Sequence, residues 1–240
     1  TTVTTTTKGL RMEESFWVER WTTGQIGFHL PTPHPLLAAH HDAITGARHV
    51  YVPLCGKTVD LPWLRARGHD VTGVELVPDA VSQLVAEQGL EPTTTTTGAF
   101  THHHIDADEG AGRGRLDVLV GDALAVSAPL FLSATAGLAD AVYDRAALVA
   151  LHPSQRAAYV ASLLRVLRPG GRVLLITFAY DQTRLDGPPW SIDDDVVREL
   201  FASAFTAQTL AVRDEPLGPK FVAAGVTALR ERCVLLTHRG

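Results

Sequence analysis

Features that mark several protein classes are scarce in this sequence. Only two of the 240 residues are cysteines, Cys55 and Cys233, which excludes a framework of several disulfide bonds. No apolar run approaches the roughly 18–20 residues of a membrane-spanning helix, and the first residues lack the basic-then-apolar pattern of a signal peptide. Lys and Arg number 21 against 26 Asp and Glu, so the formal charge is −5 and a broad basic surface for phosphate backbones is missing. We therefore expect a cytoplasmic protein that binds neither nucleic acid nor a membrane.

Low-complexity sequence is confined to two threonine-rich segments. Six of residues 1–7 are threonine, and we expect residues 1–11 to be a disordered leader or a cloning remnant ahead of a single domain over residues 12–240. Residues 93–97 are all threonine and lead to three adjacent histidines at 102–104, which predicts a surface loop. Adjacent histidines seldom converge on one ion, and no Cys or carboxylate stands at ligand spacing from them, so no metal site is expected.

Between these segments, β-rich runs alternate with helix-forming ones. Hydrophobic residues make up 45% of the chain, which is enough for a sizeable core. The β-rich runs cover residues 49–53, 70–75, 116–120, 138–143, 172–178 and 228–237. Helix starts are indicated at Thr58, Pro78, Pro153 and Asp193. This alternation predicts an α/β fold with a doubly wound, mostly parallel sheet and an N-terminal helical extension.

In such sheets ligands bind outside the carboxyl ends of the strands. The turn after the first β-rich run, Pro53-Leu54-Cys55-Gly56-Lys57, has one glycine and lacks both G-x-G-x-x-G and G-x-x-x-x-G-K-[ST]. Glu75 ends the second run about 20 residues later, at the spacing of an acid that binds ribose hydroxyls. A ribose-binding acid without a phosphate loop predicts a nucleoside ligand that lacks phosphates, and S-adenosylmethionine is the obvious one. The alternatives are that Glu75 is a solvated strand-end acid, that Asp122 only caps a turn and that Cys55 is a packing residue.

Several blocks of the sequence, in this order, are more specific than any single glycine pattern. They are Trp17-Val18-Glu19-Arg20-Trp21, Gly27-Phe28-His29, Val52-Pro53-Leu54-Cys55-Gly56-Lys57, Val74-Glu75, Tyr143-Asp144-Arg145-Ala146-Ala147-Leu148-Val149-Ala150 and Gly187-Pro188-Pro189. Together they resemble the thiopurine S-methyltransferase family, and the resemblance extends from about Trp17 to Thr237. It implies a class I methyltransferase fold with a seven-stranded sheet, six strands parallel and the C-terminal one antiparallel. It also implies an N-terminal lid, residues 12–34, that closes over the cofactor S-adenosylmethionine.

The resemblance further assigns roles to individual residues. The implied cofactor-binding residues are Trp17, Trp21, Phe28, Leu54, Gly56, Glu75, Asp122, Ala123 and Arg145. The implied acceptor-binding residues are Phe28, Arg145, Pro189 and Lys220, and Arg145 and Lys220 are the expected catalytic residues. The two tryptophans, one helical turn apart, also fit a buried core face, and Arg145 also fits an ion pair with Asp144.

Methyl transfer from a sulfonium is an in-line displacement of a neutral thioether, so the main task is to align the reacting atoms. The resemblance implies a small acceptor, such as a thiopurine or an aromatic thiol, methylated on sulfur, or a selenium or tellurium species. Such an acceptor ionises near neutral pH, so a dedicated base is not required. A dry pocket of Trp17, Trp21, Phe28 and Trp190 would assist the reaction, and Arg145 would favour the anion. The alternatives are a halide, thiocyanate or other small-metabolite methyltransferase and an inactive cofactor-binding module. The sequence says little about oligomeric state, and a monomer is our expectation.

Overall fold

The computed structural model describes residues 14–135 and 137–240. The expected leader, residues 1–11, lies outside the described residues. Nine strands of the described chain form one sheet. They are β1 (His49–Pro53), β2 (Asp70–Glu75), β3 (Thr93–Thr97), β4 (Phe100–Ile105), β5 (Leu116–Val120), β6 (Ala139–Arg145), β7 (Leu167–Ala179), β8 (Phe205–Asp214) and β9 (Arg230–His238).

The strands are arranged in the order β3-β4-β5-β2-β1-β6-β7-β9-β8. The five central strands from β5 to β7 are parallel, β9 is antiparallel to β7, and β8 is antiparallel to β9. The seven strands from β5 to β8 therefore contain six that run in one direction and one that is reversed, as the resemblance implies. The expected total of seven strands is nevertheless wrong, because β3 and β4 add a hairpin at the β5 edge.

The hairpin corrects the prediction of a surface loop at residues 93–97. Each threonine of β3 pairs with a residue of β4, and Thr95 lies opposite His102. Threonine is β-branched and favours an extended backbone, and Gly98, with φ of 60°, supplies the tight turn. β5 would otherwise be an unpaired edge, so the hairpin satisfies its main-chain hydrogen bonds.

Eight helices of the described residues cover the faces of this sheet. They are α1 (Glu14–Thr22), α2 (Pro35–His40), α3 (Asp60–Arg65), α4 (Pro78–Glu87), α5 (Ala128–Ala134), α6 (Pro153–Val166), α7 (Asp194–Phe201) and α8 (Pro219–Ala223). Helix starts are fixed locally: Asp193 Oδ1 accepts hydrogen bonds from the N–H groups of Asp195 and Val196, and Pro153 follows a His152 cap. No helix in the described part of the chain combines the length and apolarity needed to cross a bilayer.

The core consists of two large apolar clusters, and successive residues of β1 belong alternately to one or the other. Tyr51 packs in the first cluster with Phe131 of α5 and Val142, whereas Val50 and Val52 pack in the second. This alternation places a cluster on each face of the sheet. All five residues of β1 are buried. The loops that follow β1, β2 and β6 therefore extend from the packed centre of the sheet.

Candidate active site

A cavity of about 430 Å³ opens at the carboxyl ends of the central strands. Its walls include Leu54 after β1, Glu75 at the end of β2, Arg145 at the end of β6 and Phe178 near the end of β7. These strands lie in the order β2-β1-β6-β7, so the cavity crosses the sheet from the β2 side to the β7 side. This is the position at which open α/β sheets bind ligands.

The loop after β1 is held in an unusual conformation at the cavity wall. Leu54 has a φ of 49° and Gly56 a φ of 54°, both in the left-handed region. A non-glycine residue in this region costs of order 1–2 kcal/mol, and such strain clusters at functional sites. Cys55 is buried, and a Cβ on Gly73 would lie 2.8 Å from its sulfur. Burial, with the nearby Glu75, raises the pKa of the Cys55 thiol well above its usual range, which fits a packing residue and not a nucleophile.

Glu75 is a buried carboxylate that lines the cavity. Its Oε1 accepts the N–H of Val77 at 2.9 Å, and its Oε2 accepts the N–H of Gly56 at 2.8 Å. Burial raises the pKa of Glu75, and these backbone N–H groups offset part of that shift. Each carboxylate oxygen has a further lone pair, so the fixed group can still accept hydrogen bonds from ligand hydroxyls.

Helix α1 and the segment after it form an aromatic wall. The Phe28 ring lies 6.1 Å from the Trp17 ring and 5.8 Å from the Trp21 ring, both edge to face. Trp21 is buried, and a Cβ on Gly56 would lie 3.0 Å from Trp21 Cζ2. A side chain at position 56 would crowd the Trp21 ring, so glycine suits the close approach of the loop after β1 to α1. Both tryptophans line the cavity, and Trp21 also packs in a small apolar cluster with Val77 and Ala80, as the alternative interpretation expected. Cofactor binding by Trp17 and Trp21 stays a prediction.

Arg145 joins this wall to the sheet. Its Nη1 donates a hydrogen bond to the carbonyl oxygen of Phe28. The neighbouring Asp144 is not its partner in this arrangement, because the oxygens of Asp144 accept from Tyr159 Oη at 2.7 Å and from Leu148 N at 3.1 Å. Ala146 follows with a φ of 62°, a second strained position at the cavity.

The β7 side of the cavity is formed by two segments that are distant in sequence. Pro188 and Pro189 meet α8, where Lys220 Nζ donates a hydrogen bond to the carbonyl oxygen of Pro188. Burial lowers the pKa of Lys220, and the nearby Arg20 lowers it further. Lys220, expected only from a C-terminal resemblance, is thus brought to the same cavity as Arg145.

Several residues predicted for the site lie elsewhere. Asp122 and Ala123 follow β5 and are not among the described residues that line the cavity. Asp122 Oδ1 instead accepts the N–H of Leu124 at 2.8 Å, the capping role considered as its alternative. Trp190 also lies outside the described lining and packs against Gly187, where a Cβ would meet its ring at 2.4 Å. Cofactor binding by Asp122 and Ala123 stays a prediction.

Sequence reasoning missed a buried polar pair in the cavity wall. Asp60 Oδ2 accepts Tyr143 Oη at 3.0 Å, and Asp60 Oδ1 accepts the backbone N–H of His34 at 2.8 Å. Asp60 and Tyr143 both line the cavity. Tyr143 could have been predicted from the sequence as a cavity residue. It lies two residues before Arg145, and alternate residues of a strand share a face.

Comparison with solved structures defines the class of protein. The 1,6-didemethyltoxoflavin-N1-methyltransferase of Burkholderia thailandensis, solved with S-adenosylhomocysteine, gives a TM-score of 0.59 at 17% identity over 95% of this chain and 87% of that one. A structure described for the conversion of a disulfide bond into a thioacetal group during echinomycin biosynthesis gives a TM-score of 0.60 at 20% identity over 95% and 93%. The fold is that of the class I S-adenosylmethionine-dependent methyltransferases.

Sequence comparison then gives the family. The model of the thiopurine S-methyltransferase family matches residues 12–239. Thiopurine S-methyltransferase of Pseudomonas fluorescens (strain SBW25) is 45% identical over 95% of this chain and 100% of its own length. That of Xanthomonas campestris pv. campestris (strain 8004) is 42% identical over 91% and 95%. The chain belongs to the thiopurine S-methyltransferase family, and it is a methyltransferase that uses S-adenosylmethionine and acts on a small molecule.

The described residues fit this cofactor. Glu75 offers a fixed carboxylate of the kind that binds ribose hydroxyls. The strained, glycine-containing loop after β1 brings backbone to the cavity without the glycine pattern that a pyrophosphate requires. Trp17, Trp21 and Phe28 supply an apolar wall for a ligand that carries no phosphate.

Proposed function

We propose that this enzyme methylates the sulfur of a small, anionic or easily ionised acceptor, such as an aromatic thiol or a thiopurine, or the selenium or tellurium of a comparable species. The observation that carries the proposal is the distribution of charge along the cavity. Its two acids, Glu75 and Asp60, belong to the β2 and β1 side, where the charge of Lys57 is paired with Glu87. Arg145 and Lys220 belong to the β6 and β7 side, and Arg20 adds a third positive charge close to Lys220. The curated relatives at 42–45% identity are named thiopurine S-methyltransferases, which supports the same acceptor class.

The β2 and β1 side would hold the cofactor. Glu75, Leu54, Gly56, Trp17 and Trp21 would bind it there, and it supplies a methyl group activated on a sulfonium sulfur. Arg145 and Phe28 would lie between the cofactor and the acceptor, because β6 is the next strand after β1. The aromatic wall would exclude water, which strengthens the electrostatic attraction between an anionic acceptor and its surroundings.

The β6 and β7 side would hold the acceptor. Phe178, Pro189 and Phe221 give it apolar walls that suit an aromatic ring. Arg145 retains N–H donors besides the one used on Phe28, and they can bind a thiolate or its substituent. His29 also belongs to the cavity wall, and burial, with the nearby Lys57, lowers its pKa.

The proposal is tested by a methyl-transfer assay with aromatic thiols, selenite, tellurite, iodide and thiocyanate. We expect aromatic thiols to give the highest kcat/KM and to improve as the thiol becomes more acidic. Volatile products from iodide or thiocyanate at higher efficiency than from any thiol would contradict the proposal and favour the halide alternative.

Replacement of Arg145 gives a sharper test. We expect Arg145→Met to lower kcat/KM for anionic thiols by about 10–150-fold, because a charge-assisted interaction is lost, while cofactor affinity changes by only a few-fold. Lys220→Met should have a smaller effect of the same kind. Arg145→Lys can keep a donor for the Phe28 carbonyl but lacks the planar guanidinium, so it should recover part of the loss. Equal losses for anionic and neutral acceptors would mean that Arg145 acts by holding Phe28 in place.

A further inference from the structure

Two histidines and one aspartate converge at the sheet edge formed by the β3–β4 hairpin. His102 and His104 are two residues apart on β4 and therefore share a face. Asp117 of β5 is the cross-strand partner of His104. One ligand atom from each of the three side chains lies within 4.8 Å of the other two. Within residues 14–135 and 137–240, this is the one group of three such side chains close enough to share a metal ion.

Both histidines direct a ring nitrogen at the same oxygen of the aspartate. His102 Nε2 lies 2.8 Å and His104 Nδ1 lies 2.7 Å from Asp117 Oδ1. The other oxygen, Asp117 Oδ2, lies 3.1 Å from Arg115 Nη2. The second nitrogen of His104, Nε2, lies 3.1 Å from Asp106 Oδ1. The cluster thus has three converging donor atoms, and Arg115 and Asp106 contact the other atoms of the same side chains.

We propose that His102 Nε2, His104 Nδ1 and Asp117 Oδ1 bind a divalent transition-metal ion of the Zn²⁺ class. Two imidazoles and a carboxylate are a donor set that suits Zn²⁺ and Co²⁺, with bonds of about 2.0–2.2 Å. Ligand atoms at tetrahedral angles with such bonds are about 3.3 Å apart. The present nitrogen–oxygen distances therefore need to widen by only about 0.5 Å as the bridging protons leave.

The surroundings meet the further needs of such a site. Asp106 accepts from the distal nitrogen of His104, the carboxylate–histidine arrangement that fixes the tautomer of a metal ligand. Arg115 holds the second oxygen of Asp117 and leaves the first directed at the histidines. The His104 side chain is 27% exposed, so a water can complete the coordination.

The position of the site assigns it a structural role. Asp117 is the second residue of β5, whereas the cavity lies beyond the carboxyl ends of the parallel strands. The bound ion would tie β4 to β5 and fix the hairpin at the sheet edge. It would take no part in methyl transfer.

The test is a titration of the metal-free full chain with Co²⁺, followed by visible absorption, and displacement by Zn²⁺. We expect one Co²⁺ per chain with the intense bands of a four- or five-coordinate ion, and a higher Tm with Zn²⁺. His104→Gln should weaken binding at least about 30-fold, and Asp106→Asn, at a side chain that is 95% exposed, about 10-fold. His103→Gln is the matched control, because His103 lies on the opposite face of the same strand and contacts Thr94.

Each variant must bind S-adenosylmethionine as the wild type does, which shows that it is folded. Asp106→Asn keeps the test decisive if His104→Gln fails to fold, because the Asp106 side chain is almost fully exposed. Failure of the wild type to bind Co²⁺ or Zn²⁺ below millimolar concentration would overturn the proposal. So would binding that survives His104→Gln and is lost in His41→Gln, since His41 Nε2 faces His69 Nε2 at 2.7 Å elsewhere in the molecule.

Discussion

Two buried carboxylates near the cavity differ in what their oxygens contact. Glu75 is 7% exposed and Asp144 is fully buried, and both accept backbone N–H groups. Glu75 faces the cavity, whereas Asp144 faces Tyr159 in the core. The Glu75 oxygens can therefore still accept hydrogen bonds from a ligand, whereas the Asp144 oxygens accept hydrogen bonds from the protein core. Substitution of each has a different expected readout.

Glu75→Ala should weaken S-adenosylmethionine binding by about 1.5–3 kcal/mol, because the ribose hydroxyls lose a charged acceptor. This corresponds to a Kd increase of roughly 10–150-fold, measurable by isothermal titration calorimetry. Asp79→Asn is the control, since Asp79 is an exposed carboxylate four residues further along the chain. An unchanged Kd in Glu75→Ala would remove the ribose-binding assignment.

Asp144 gives a prediction about pH. Burial raises the pKa of Asp144 from 3.8 to about 6, although hydrogen bonds from Tyr159 and Leu148 oppose the shift. The folded state therefore binds this proton more tightly than the unfolded state does, and wild-type stability falls as pH rises from about 4 to 6. A shift of this size corresponds to about 2–3 kcal/mol. Asp144→Asn lacks this term, so its free energy of unfolding relative to wild type should rise by about that amount between pH 4 and pH 7.

Urea denaturation at both pH values measures the difference. Asp186→Asn, at an exposed position, is the control and should run parallel to the wild type. A difference between Asp144→Asn and wild type that is independent of pH would show that Asp144 is ionised at the same pH in both states.

At the scale of elements, the contact between α1 and the loop after β1 determines the shape of the cavity. Gly56 has a left-handed backbone conformation and no side chain. A Cβ at this position would lie against the Trp21 ring and crowd it. Gly89, at the end of α4, has a similar φ of 58°, but a Cβ there would meet nothing within 4 Å. A comparison of substitutions at these two glycines therefore distinguishes the effect of backbone strain from the effect of crowding Trp21.

Gly56→Ala and Gly89→Ala should each lower the free energy of unfolding by about 1 kcal/mol, because both place an L side chain in the left-handed region. Only Gly56→Ala should also raise the Kd for S-adenosylmethionine, by about ten-fold, because Trp21 must move away from the loop. Calorimetry and tryptophan fluorescence on both variants measure this. Equal cofactor affinities would mean that α1 and residues 12–34 do not act as a lid.

The sequence predicts those elements whose side chains are buried. The β-rich runs at 49–53, 70–75 and 116–120 coincide with β1, β2 and β5, because strands covered on both faces are rich in apolar, β-branched residues. β3 consists of threonine only, β8 is half polar, and most side chains of both strands are exposed, so neither has such a signal. Their pairing is determined by neighbouring strand edges, which are tertiary information.

The same limit applies to the site. The strand-end residues Glu75 and Arg145 could be found because a parallel sheet brings its carboxyl ends together. The cluster of His102, His104 and Asp117 could not, since it depends on the register between β4 and β5. Along the chain the aspartate follows the two histidines by 15 and 13 positions, whereas pairing across the strands makes them neighbours.

At the scale of the whole molecule, a series of hydrogen-bonded polar groups, most of them buried, links segments that are far apart in sequence. His34 Nε2 lies 3.0 Å from Glu231 Oε1 of β9, and its backbone N–H donates to Asp60. Arg213 of β8 donates to Glu231 Oε2, with Nη2 at 2.6 Å. Because Asp60 also accepts a hydrogen bond from Tyr143 Oη, this series of hydrogen bonds extends to the cavity wall. The N-terminal segment is thus fastened to the last strands of the sheet.

Glu231→Gln should lower the free energy of unfolding at pH 7 by about 1.5–3 kcal/mol, because the buried carboxylate loses its charge-assisted contacts with His34 and Arg213. Glu215→Gln is the matched control: Glu215 also binds Arg213, at 2.7 Å, but its side chain is 25% exposed, so the loss should stay below about 1 kcal/mol.

Burial alone would raise the pKa of Glu231, but His34 and Arg213 outweigh it and hold the pKa below 4.5. The stability contributed by the ionised group is present above pH 4.5 and is lost as pH falls through its lower folded pKa. Urea denaturation from pH 7 to pH 3 should therefore show the difference between Glu231→Gln and wild type decreasing below pH 4.5. A difference that stays constant to pH 3 would show that the carboxylate acts through shape and hydrogen bonding, without a net contribution from its charge.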